Sequence, residues 1–251
     1  MSVKITFIGT GDATNSGGRA QQSILLSTDN FKLLVDCGAN TLMRFQQMQL
    51  NPNDVDAILF THFHADHFMG TAHFDLSLLF DFPRKRDMLY IGPVGLNDRC
   101  EKLFQLSYPN LYSKKEYNHF ARKITEYEPN QKYVIDNNKV IVETFPMEHA
   151  PESLGYRIFM GGKYVAITGD TQWHEGIIDL AKGSDCLICE SFHYNKPEPR
   201  IGHCSYQEIK ENRDRIDSNK IILVHGHKEV IANAENLDIA LANDGDIVEL
   251  E

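Results

Sequence analysis

Four potential metal ligands lie within six residues of this chain, in the run Thr61-His62-Phe63-His64-Ala65-Asp66-His67. An imidazole costs free energy to bury without a partner, and three of them beside a carboxylate leave several polar atoms to be satisfied at once. A divalent cation satisfies them together, because imidazole nitrogens and carboxylate oxygens are ordinary ligands of zinc and similar ions. The run therefore predicts a metal site.

The position of this run indicates how its side chains point. Residues 57–60 are apolar and predict a short buried strand that ends just before the run. Side chains repeat every second residue along a strand, so His62 and His64 point the same way. A turn then brings Asp66 and His67 round from the other side. We therefore expect the two pairs to face two different ions.

Further residues that follow predicted strands could complete two coordination spheres. They are His149, Asp170 and His225, which follow strands predicted at 140–145, 164–168 and 221–224. Gly169 permits a tight turn that exposes the Asp170 carboxylate. His227 competes with His225 for the last ligand position, and His225 is favoured because it leaves the strand directly, whereas His227 follows a flexible glycine.

The order of elements predicts the layers that hold these residues. Two strand-rich halves, each with helices, indicate two sheets packed face to face with helices outside them. The other predicted strands are 3–8, 23–27, 31–36, 154–159 and 186–189, the predicted helices are 41–48, 174–181, 206–213 and 235–243, and 74–82 is a helix or a strand ended by Pro83. No internal repeat, low-complexity stretch or linker is evident, so we expect one α+β domain over 1–251.

Composition and charge exclude several classes of protein. The 251 residues are 42% hydrophobic and 24% charged, which is typical of a globular chain and excludes disorder, collagen and coiled coil. No run approaches the ~18 apolar residues that span a membrane. A net charge of −10 disfavours general nucleic-acid binding. Five cysteines and a start that lacks a signal-like segment lead us to expect a reduced, cytoplasmic protein, with Cys186 and Cys189 as buried residues of one strand.

Residues 84–132 differ from the rest of the chain in charge. They hold ten of the 25 Lys and Arg residues against six acidic residues, with several Tyr and Phe residues between them. We interpret them as a basic, aromatic insertion. Its simplest explanation is a solvated insertion whose aromatic side chains pack inward. The alternative is a wall of the substrate cleft, in which Lys114, Lys115, Arg122 and Lys123 contact phosphates.

These residues together resemble the metallo-β-lactamase superfamily. The His62-x-His64-x-Asp66-His67 signature and the three downstream residues match its metal-binding motifs in order, and Phe7-Ile8-Gly9-Thr10-Gly11 and Leu34-Val35-Asp36-Cys37-Gly38 are similar too. The resemblance spans the chain and implies a four-layer αββα sandwich with a dinuclear metal site at one edge of the two sheets. It further implies that His62, His64 and His149 hold one metal, that Asp66, His67 and His225 hold the other, and that Asp170 bridges them.

Within that superfamily the chain resembles the ribonuclease Z-like phosphodiesterase branch. The motifs that carry this are Cys189-Glu190-Ser191-Phe192-His193 and Gly202-His203-Cys204-Ser205. The resemblance makes His203 the phosphate-binding or proton-donating histidine, with Glu190 or another carboxylate holding one tautomer. Two departures, a changed His-Glu-Ala-Thr motif and no recognisable arm that clamps transfer RNA, weigh against a specific role in tRNA 3′ processing.

The implied activity is a dinuclear metal-dependent phosphodiesterase in which a metal-bound hydroxide attacks a phosphodiester, with Asp66 orienting or deprotonating the water. Zinc suits the ligand types, and manganese or iron is also compatible. The expected partners are a phosphodiester substrate such as RNA or a nucleotide and a second copy of the chain in a homodimer, with no membrane. Two alternatives stay open: an acyl hydrolase resembling glyoxalase II on the same metal pair, and a non-catalytic nucleic-acid-binding protein.

Overall fold

Two seven-stranded sheets form the centre of the molecule. The computed structural model describes residues 2–112, 120–135, 139–199 and 202–251. The first sheet has the order β14-β1-β2-β3-β4-β5-β6 and the second has the order β13-β12-β11-β10-β9-β8-β7. In each sheet one half is antiparallel and the other half is parallel.

The described strands and helices have the following bounds. The strands of the first sheet are β1 (Val3–Gly9), β2 (Ser23–Ser27), β3 (Lys32–Val35), β4 (Ala57–Leu59), β5 (Met88–Pro93), β6 (Arg122–Tyr127) and β14 (Ile247–Leu250). Those of the second are β7 (Lys132–Ile135), β8 (Val140–Pro146), β9 (Leu154–Met160), β10 (Lys163–Ile167), β11 (Cys186–Glu190), β12 (Ile221–Val224) and β13 (Ala240–Leu241). The helices are α1 (Thr41–Gln47), α2 (Ala65–Phe68), α3 (Thr71–Phe80), α4 (Leu96–Ser107), α5 (Pro109–Tyr112), α6 (Gly176–Ala181), α7 (Tyr206–Glu211) and α8 (Lys228–Ala232).

Three apolar clusters define four layers. One lies between the sheets and contains residues of both, such as Phe7 and Tyr156. A second packs α1, α3 and α4 on the outer face of the first sheet, and a third packs α6 and α7 on the outer face of the second. This is the predicted αββα sandwich.

The sequence patterns explain why these elements form. The strands β4 and β12 are apolar and fully buried, as expected for parallel strands covered on both faces. Along α4, the buried residues Leu96, Cys100, Leu103 and Phe104 follow helical spacing and pack one face inward. The helix α3 ends at Phe80, three residues ahead of Pro83, which cannot continue a helix.

Two expectations differ from the structure. Residues 84–132 are not a separate insertion, because β5 and β6 within them are strands of the first sheet. The helix predicted at 235–243 is wrong, because the chain forms α8 earlier and then β13. Leu237, Ile239 and Leu241 alternate inward with a period of two, which is the spacing of a strand.

Two further expectations about elements agree with the structure. Of residues 74–82, which the sequence predicted as a helix or a strand, 74–80 belong to the helix α3. Cys186 and Cys189 are buried on β11 in different apolar clusters, one on each face of the sheet, and both are free thiols. Across the described ranges, no helix combines the length and apolar character needed to cross a membrane.

Candidate metal centre

The first group of ligands joins residues from both sheets. His62 and His64 follow β4 of the first sheet, whereas His149 and Asp170 follow β8 and β10 of the second. Their ligand atoms all lie within 4.8 Å of one another. His64 Nδ1 and His149 Nε2 are 2.9 Å apart, and the nearer Asp170 oxygen lies 3.8 Å from Nε2 of His62 and of His149. Four ligand atoms therefore surround one small volume.

The second group shares Asp170 with the first. It consists of Asp66, His67, Asp170 and His225, and all four side chains are buried. His67 Nε2 lies 3.3 Å from Asp170 Oδ1 and 3.4 Å from Asp66 Oδ2. His225 Nε2 lies 3.5 Å from Asp170 Oδ2 and 3.1 Å from Asp66 Oδ2. The Asp170 carboxylate thus stands between the two groups, where a bridging ligand would lie.

The chemistry of the buried atoms fits a metal centre. His62 Nε2, His67 Nε2 and Asp170 Oδ1 are buried and have no hydrogen-bond partner. Buried polar atoms without partners are costly, and cations held by the two groups would remove that cost. Imidazole and carboxylate are also the donor set that zinc accepts. The two His and Asp groups therefore fit a metal site.

Burial and neighbouring charges shift the pKa values of the buried ligands in this cluster. Burial pushes the pKa of His62 well below its usual value. Burial acts the other way on the carboxylate of Asp170, but His225 and His67 outweigh it and hold the pKa of Asp170 well below its usual range. An ionised, buried carboxylate surrounded by imidazoles is an arrangement that attracts a divalent cation.

Outer hydrogen bonds fix which imidazole nitrogen faces the centre. His67 Nδ1 donates to Asp36 Oδ2 at 2.8 Å, and His149 Nδ1 donates to the Gly202 carbonyl at 2.7 Å. In both rings Nε2 is then left to face the centre. Asp36 is itself fixed by the backbone N–H of Thr61 at 2.8 Å. Asp36 is thus a supporting residue to which sequence reasoning assigned no role, although it lies in a motif that the resemblance used.

Backbone geometry at the strand ends requires particular residues. Gly169 has φ of +60°, and a Cβ at that position would lie 2.7 Å from the Thr61 Cβ. Only glycine tolerates both the conformation and the contact, so the turn that presents Asp170 depends on it. His225 also has a positive φ of 58°, and its backbone N–H donates to the Thr10 carbonyl at 2.8 Å.

His203 lies beside the two ligand groups, held by a buried carboxylate. Its Nδ1 is 2.9 Å from Oε1 of Glu190, which also accepts from the backbone N–H of Thr171 at 2.6 Å. The His203 ring stacks on His225 with 5.5 Å between centroids. Burial lowers the pKa of His203, but Glu190 and Asp170 more than compensate and raise it to about 9. The carboxylate expected to hold His203 is therefore Glu190.

His227, the competitor for the last ligand position, is not in either ligand group. Its Nδ1 lies 2.7 Å from Oδ2 of the buried Asp12. The geometry thus favours His225 as the ligand, as expected from its place at the strand end. Asp12 was not identified from the sequence, because an isolated aspartate in a glycine-rich loop carries no distinguishing pattern.

The basic residues expected on the cleft wall lie in different settings. The guanidinium of Arg122 pairs with the buried Asp75 at 2.7 Å and covers the Phe104 ring, so its charge stabilises the fold. Lys123 pairs with Asp87 at 2.5 Å. Lys114 and Lys115 lie outside the described residues. Contact between this segment and substrate stays a prediction.

The sandwich and the site together define a metallohydrolase of the metallo-β-lactamase type. A family model described as "Anti-Pycsar protein Apyc1" matches residues 3–244, and the chain belongs to this family. The chain is also 30% identical to a protein named Ribonuclease Z from Clostridioides difficile (strain 630), with 89% of this chain and 88% of that protein covered. The predicted superfamily and its ribonuclease Z-like branch are therefore confirmed.

Solved structures show the same fold. The metallo-β-lactamase fold protein YhfI from Bacillus subtilis is 19% identical with a TM-score of 0.81, over 100% of both chains. The short form of human tRNase Z is 23% identical with a TM-score of 0.79, over 98% of both chains. The predicted fold class is confirmed by these two structures.

Proposed function

We propose that this protein is a dinuclear metal-dependent phosphodiesterase that hydrolyses small nucleotide phosphodiesters. The observation that carries the proposal is the position of Asp170 between two ligand groups, with the Glu190 and His203 pair directly beside them. The relatives named Ribonuclease Z and tRNase Z support the phosphodiesterase class.

The proposed ligands follow from the two groups. His62, His64 and His149 would hold one ion, Asp66, His67 and His225 would hold the second, and Asp170 would contact both. Zinc suits these ligand types, and manganese or iron is compatible. When bound, such a pair of ions supplies Lewis acidity, which neutralises charge on a phosphodiester and lowers the pKa of water.

The chain's own residues supply orientation and proton transfer in this proposal. The Glu190 carboxylate accepts from Nδ1–H of His203 and favours the imidazolium form, in which Nε2 carries a second proton and is directed away from Glu190. From there His203 contacts a phosphate oxygen or passes a proton to the leaving group. Asp66, at the buried base of the site, orients the attacking water.

Two observations support a small substrate over a long RNA. The alignment with the Clostridioides difficile protein spans 278 positions but includes 89% of this chain, so several tens of positions have no counterpart here. The net charge of −10 repels a polyanion at long range. A nucleotide with one phosphodiester meets less of this repulsion than a folded RNA does.

A hydrolysis panel tests the proposal. Zinc-loaded protein is compared on bis(4-nitrophenyl) phosphate, cyclic nucleotides, a short RNA and an acyl thioester. We expect turnover of the first two to exceed that of the thioester. A preference for the thioester would instead establish the acyl hydrolase. Binding of RNA without hydrolysis of any substrate would establish the non-catalytic alternative.

The position of His203 favours the phosphodiesterase over the acyl hydrolase. An acyl hydrolase has less use for a histidine aimed at a phosphate oxygen. The homodimer implied by the resemblance is part of the proposal and is measured by light scattering of the zinc-loaded protein.

A further inference from the structure

A second histidine, His227, lies beside the candidate metal centre without belonging to it. Its ring stacks on Phe192 with 4.7 Å between centroids and 12° between the planes. The Phe192 ring also stacks on His203, with 4.6 Å between centroids. Two stacking steps thus connect the histidine that we place at the phosphate with a second imidazole.

The second imidazole is held by a carboxylate of its own. Asp12 has no exposed surface, and its Oδ1 accepts from the backbone N–H groups of Thr14 and Ser16 at 3.1 and 2.9 Å. Its Oδ2 accepts from the Ser16 hydroxyl at 2.7 Å and lies 2.7 Å from His227 Nδ1. A carboxylate that is ionised only accepts hydrogen bonds, so Nδ1 of His227 carries a hydrogen.

Nε2 of His227 is therefore available to bind a ligand. With the hydrogen on Nδ1 directed at Asp12, Nε2 is the ring nitrogen that can accept a hydrogen bond from a ligand. Among the residues that the structure describes, none hydrogen bonds to Nε2, and the side chain is 35% exposed. The backbone N–H of His227 also donates to the Phe192 carbonyl at 3.1 Å, which fixes the ring's position.

Support of the loop around Asp12 does not by itself explain the contact between Asp12 and His227. Asp12 already accepts from Thr14 and Ser16, so its turn has donors without His227. What the buried carboxylate adds is a fixed orientation of the imidazole, with one acceptor atom facing out. Such fixed acceptors at the rim of a site recognise a hydroxyl or amino group of a ligand.

We propose that His227 is a substrate-binding residue whose Nε2 accepts a hydrogen bond from the ribose 2′-hydroxyl of the substrate. The inference rests on the proposed phosphodiesterase function. In a nucleotide, the sugar is the group bonded directly to the phosphate, so its hydroxyls are the nearest hydrogen donors to a phosphate held at His203. The 2′-hydroxyl is also the group by which a protein distinguishes ribose from deoxyribose.

The test compares three substrates of the zinc-loaded protein. They are adenosine 5′-(4-nitrophenyl) phosphate, its 2′-deoxy analogue, and bis(4-nitrophenyl) phosphate, which has no sugar. The variant His227→Phe keeps a ring to stack on Phe192 but lacks the acceptor. We expect its KM for the ribose substrate to rise about 3- to 10-fold with kcat unchanged, which is the range for one lost hydrogen bond. KM for the other two substrates stays at the wild-type value.

The neighbouring Lys228→Ala variant is the matched control, because Lys228 is exposed and one residue away. It should keep all three KM values. An unchanged ratio between the ribose and deoxyribose substrates in His227→Phe would overturn the proposal, as would an equal rise on all three substrates.

A separate arm distinguishes this inference from the function on which it rests. If wild-type protein hydrolyses none of the three substrates, the phosphodiesterase proposal fails. Equilibrium dialysis of adenosine and 2′-deoxyadenosine 5′-monophosphate then decides the role of His227. Tighter binding of the ribose form by wild type than by His227→Phe supports it, and equal binding overturns it.

Discussion

At the scale of single residues, the candidate metal ligands could be recognised from the sequence, whereas the carboxylates that hydrogen bond to the site histidines could not. The seven residues that structure brings into two groups were all identified from their types and positions at strand ends. Asp36 and Asp12 were assigned no role, because a supporting carboxylate is recognised by the imidazole it contacts, and those contacts join residues 31 and 215 positions apart. Spacing along the chain cannot show such a contact.

Asp170 is the residue on which both ligand groups depend. Replacing it with alanine removes the carboxylate between the groups, so we expect Asp170→Ala to lose both ions, as measured by elemental analysis after zinc supplementation. Asp98→Ala, at an exposed aspartate paired with Lys102, is the control and should keep its metal. Wild-type protein with less than half an ion per chain would contradict the proposed centre.

His203 is expected to act on the substrate and not on the metal. His203→Ala should keep the metal content of wild type and lower phosphodiester turnover by ~10²–10⁴, the range for a positioned acid or base. His73, an exposed histidine on α3, provides the control variant His73→Ala. Wild-type turnover in His203→Ala, or loss of its metal, would show that the assigned role is wrong.

At the scale of elements, the accuracy of prediction followed the strength of the pattern. Fully apolar strands such as β12 were placed to the residue, since Ile221–Val224 has no other interpretation next to polar neighbours. The strand β6 was missed because charged residues at its exposed positions hide its apolar side. The strand β5 is apolar and was missed because residues 84–132 were interpreted from their charge. The two-residue strand β13 is too short to produce a pattern of its own. The layers could therefore be predicted, while the sheet edges could not.

The start of α7 illustrates how one element positions a site residue. The Ser205 side chain accepts from the backbone N–H of Glu208, whose carboxylate accepts from the Ser205 backbone in return. This cap lies two residues after His203. We expect Ser205→Ala to lower the free energy of unfolding by about 1 kcal/mol in chemical denaturation.

The loss of this cap should also lower turnover. The Cys204 carbonyl accepts from the backbone N–H of His193, and the backbone N–H of Tyr206 donates to the His193 carbonyl. A change at Ser205 would therefore disturb the backbone that positions His203. Ser107→Ala, at the exposed last residue of α4, is the control and should change neither quantity. A Ser205→Ala protein as stable as wild type would mean that the cap contributes nothing to α7.

At the scale of the whole molecule, acid should destabilise the second sheet through Glu143. Burial raises the pKa of Glu143, but ion pairs with Arg157 and Lys132 outweigh it and lower that pKa. A carboxylate whose pKa is lowered by folding stabilises the protein above its unfolded pKa, and that stability is lost as pH falls. We expect Glu143→Gln to be about 1 kcal/mol less stable at pH 7 and equally stable near pH 3, as measured by thermal unfolding.

The control for this pH dependence is Glu211→Gln, at an exposed residue of α7 whose carboxylate accepts from the side-chain amide of Gln207. Its stability should follow wild type across the range. A constant difference between Glu143→Gln and wild type from pH 7 to pH 3 would assign the effect to packing instead of charge.

The uneven charge of the chain gives a second prediction at this scale. If residues 84–132 attract phosphates beyond the scissile one, Lys114→Glu with Lys115→Glu raises KM for an oligonucleotide and leaves bis(4-nitrophenyl) phosphate unaffected. The measurement is initial rate against substrate concentration at low salt. Lys123→Glu, whose lysine already pairs with Asp87, is the comparison. No change on either substrate would show that the segment does not contact the substrate.

The ligands of the candidate centre come from both halves of the sandwich, and this has a mechanical consequence. His62 and His67 are anchored at the end of the first sheet, and His149 and His225 at the end of the second. An occupied centre would therefore cross-link the two sheets at this end. Chelation should therefore loosen that end first, so that amide hydrogens near β4, β10 and β12 exchange faster while the opposite end stays protected. The same cluster would then both carry the reaction and stabilise the packing of the two sheets against each other.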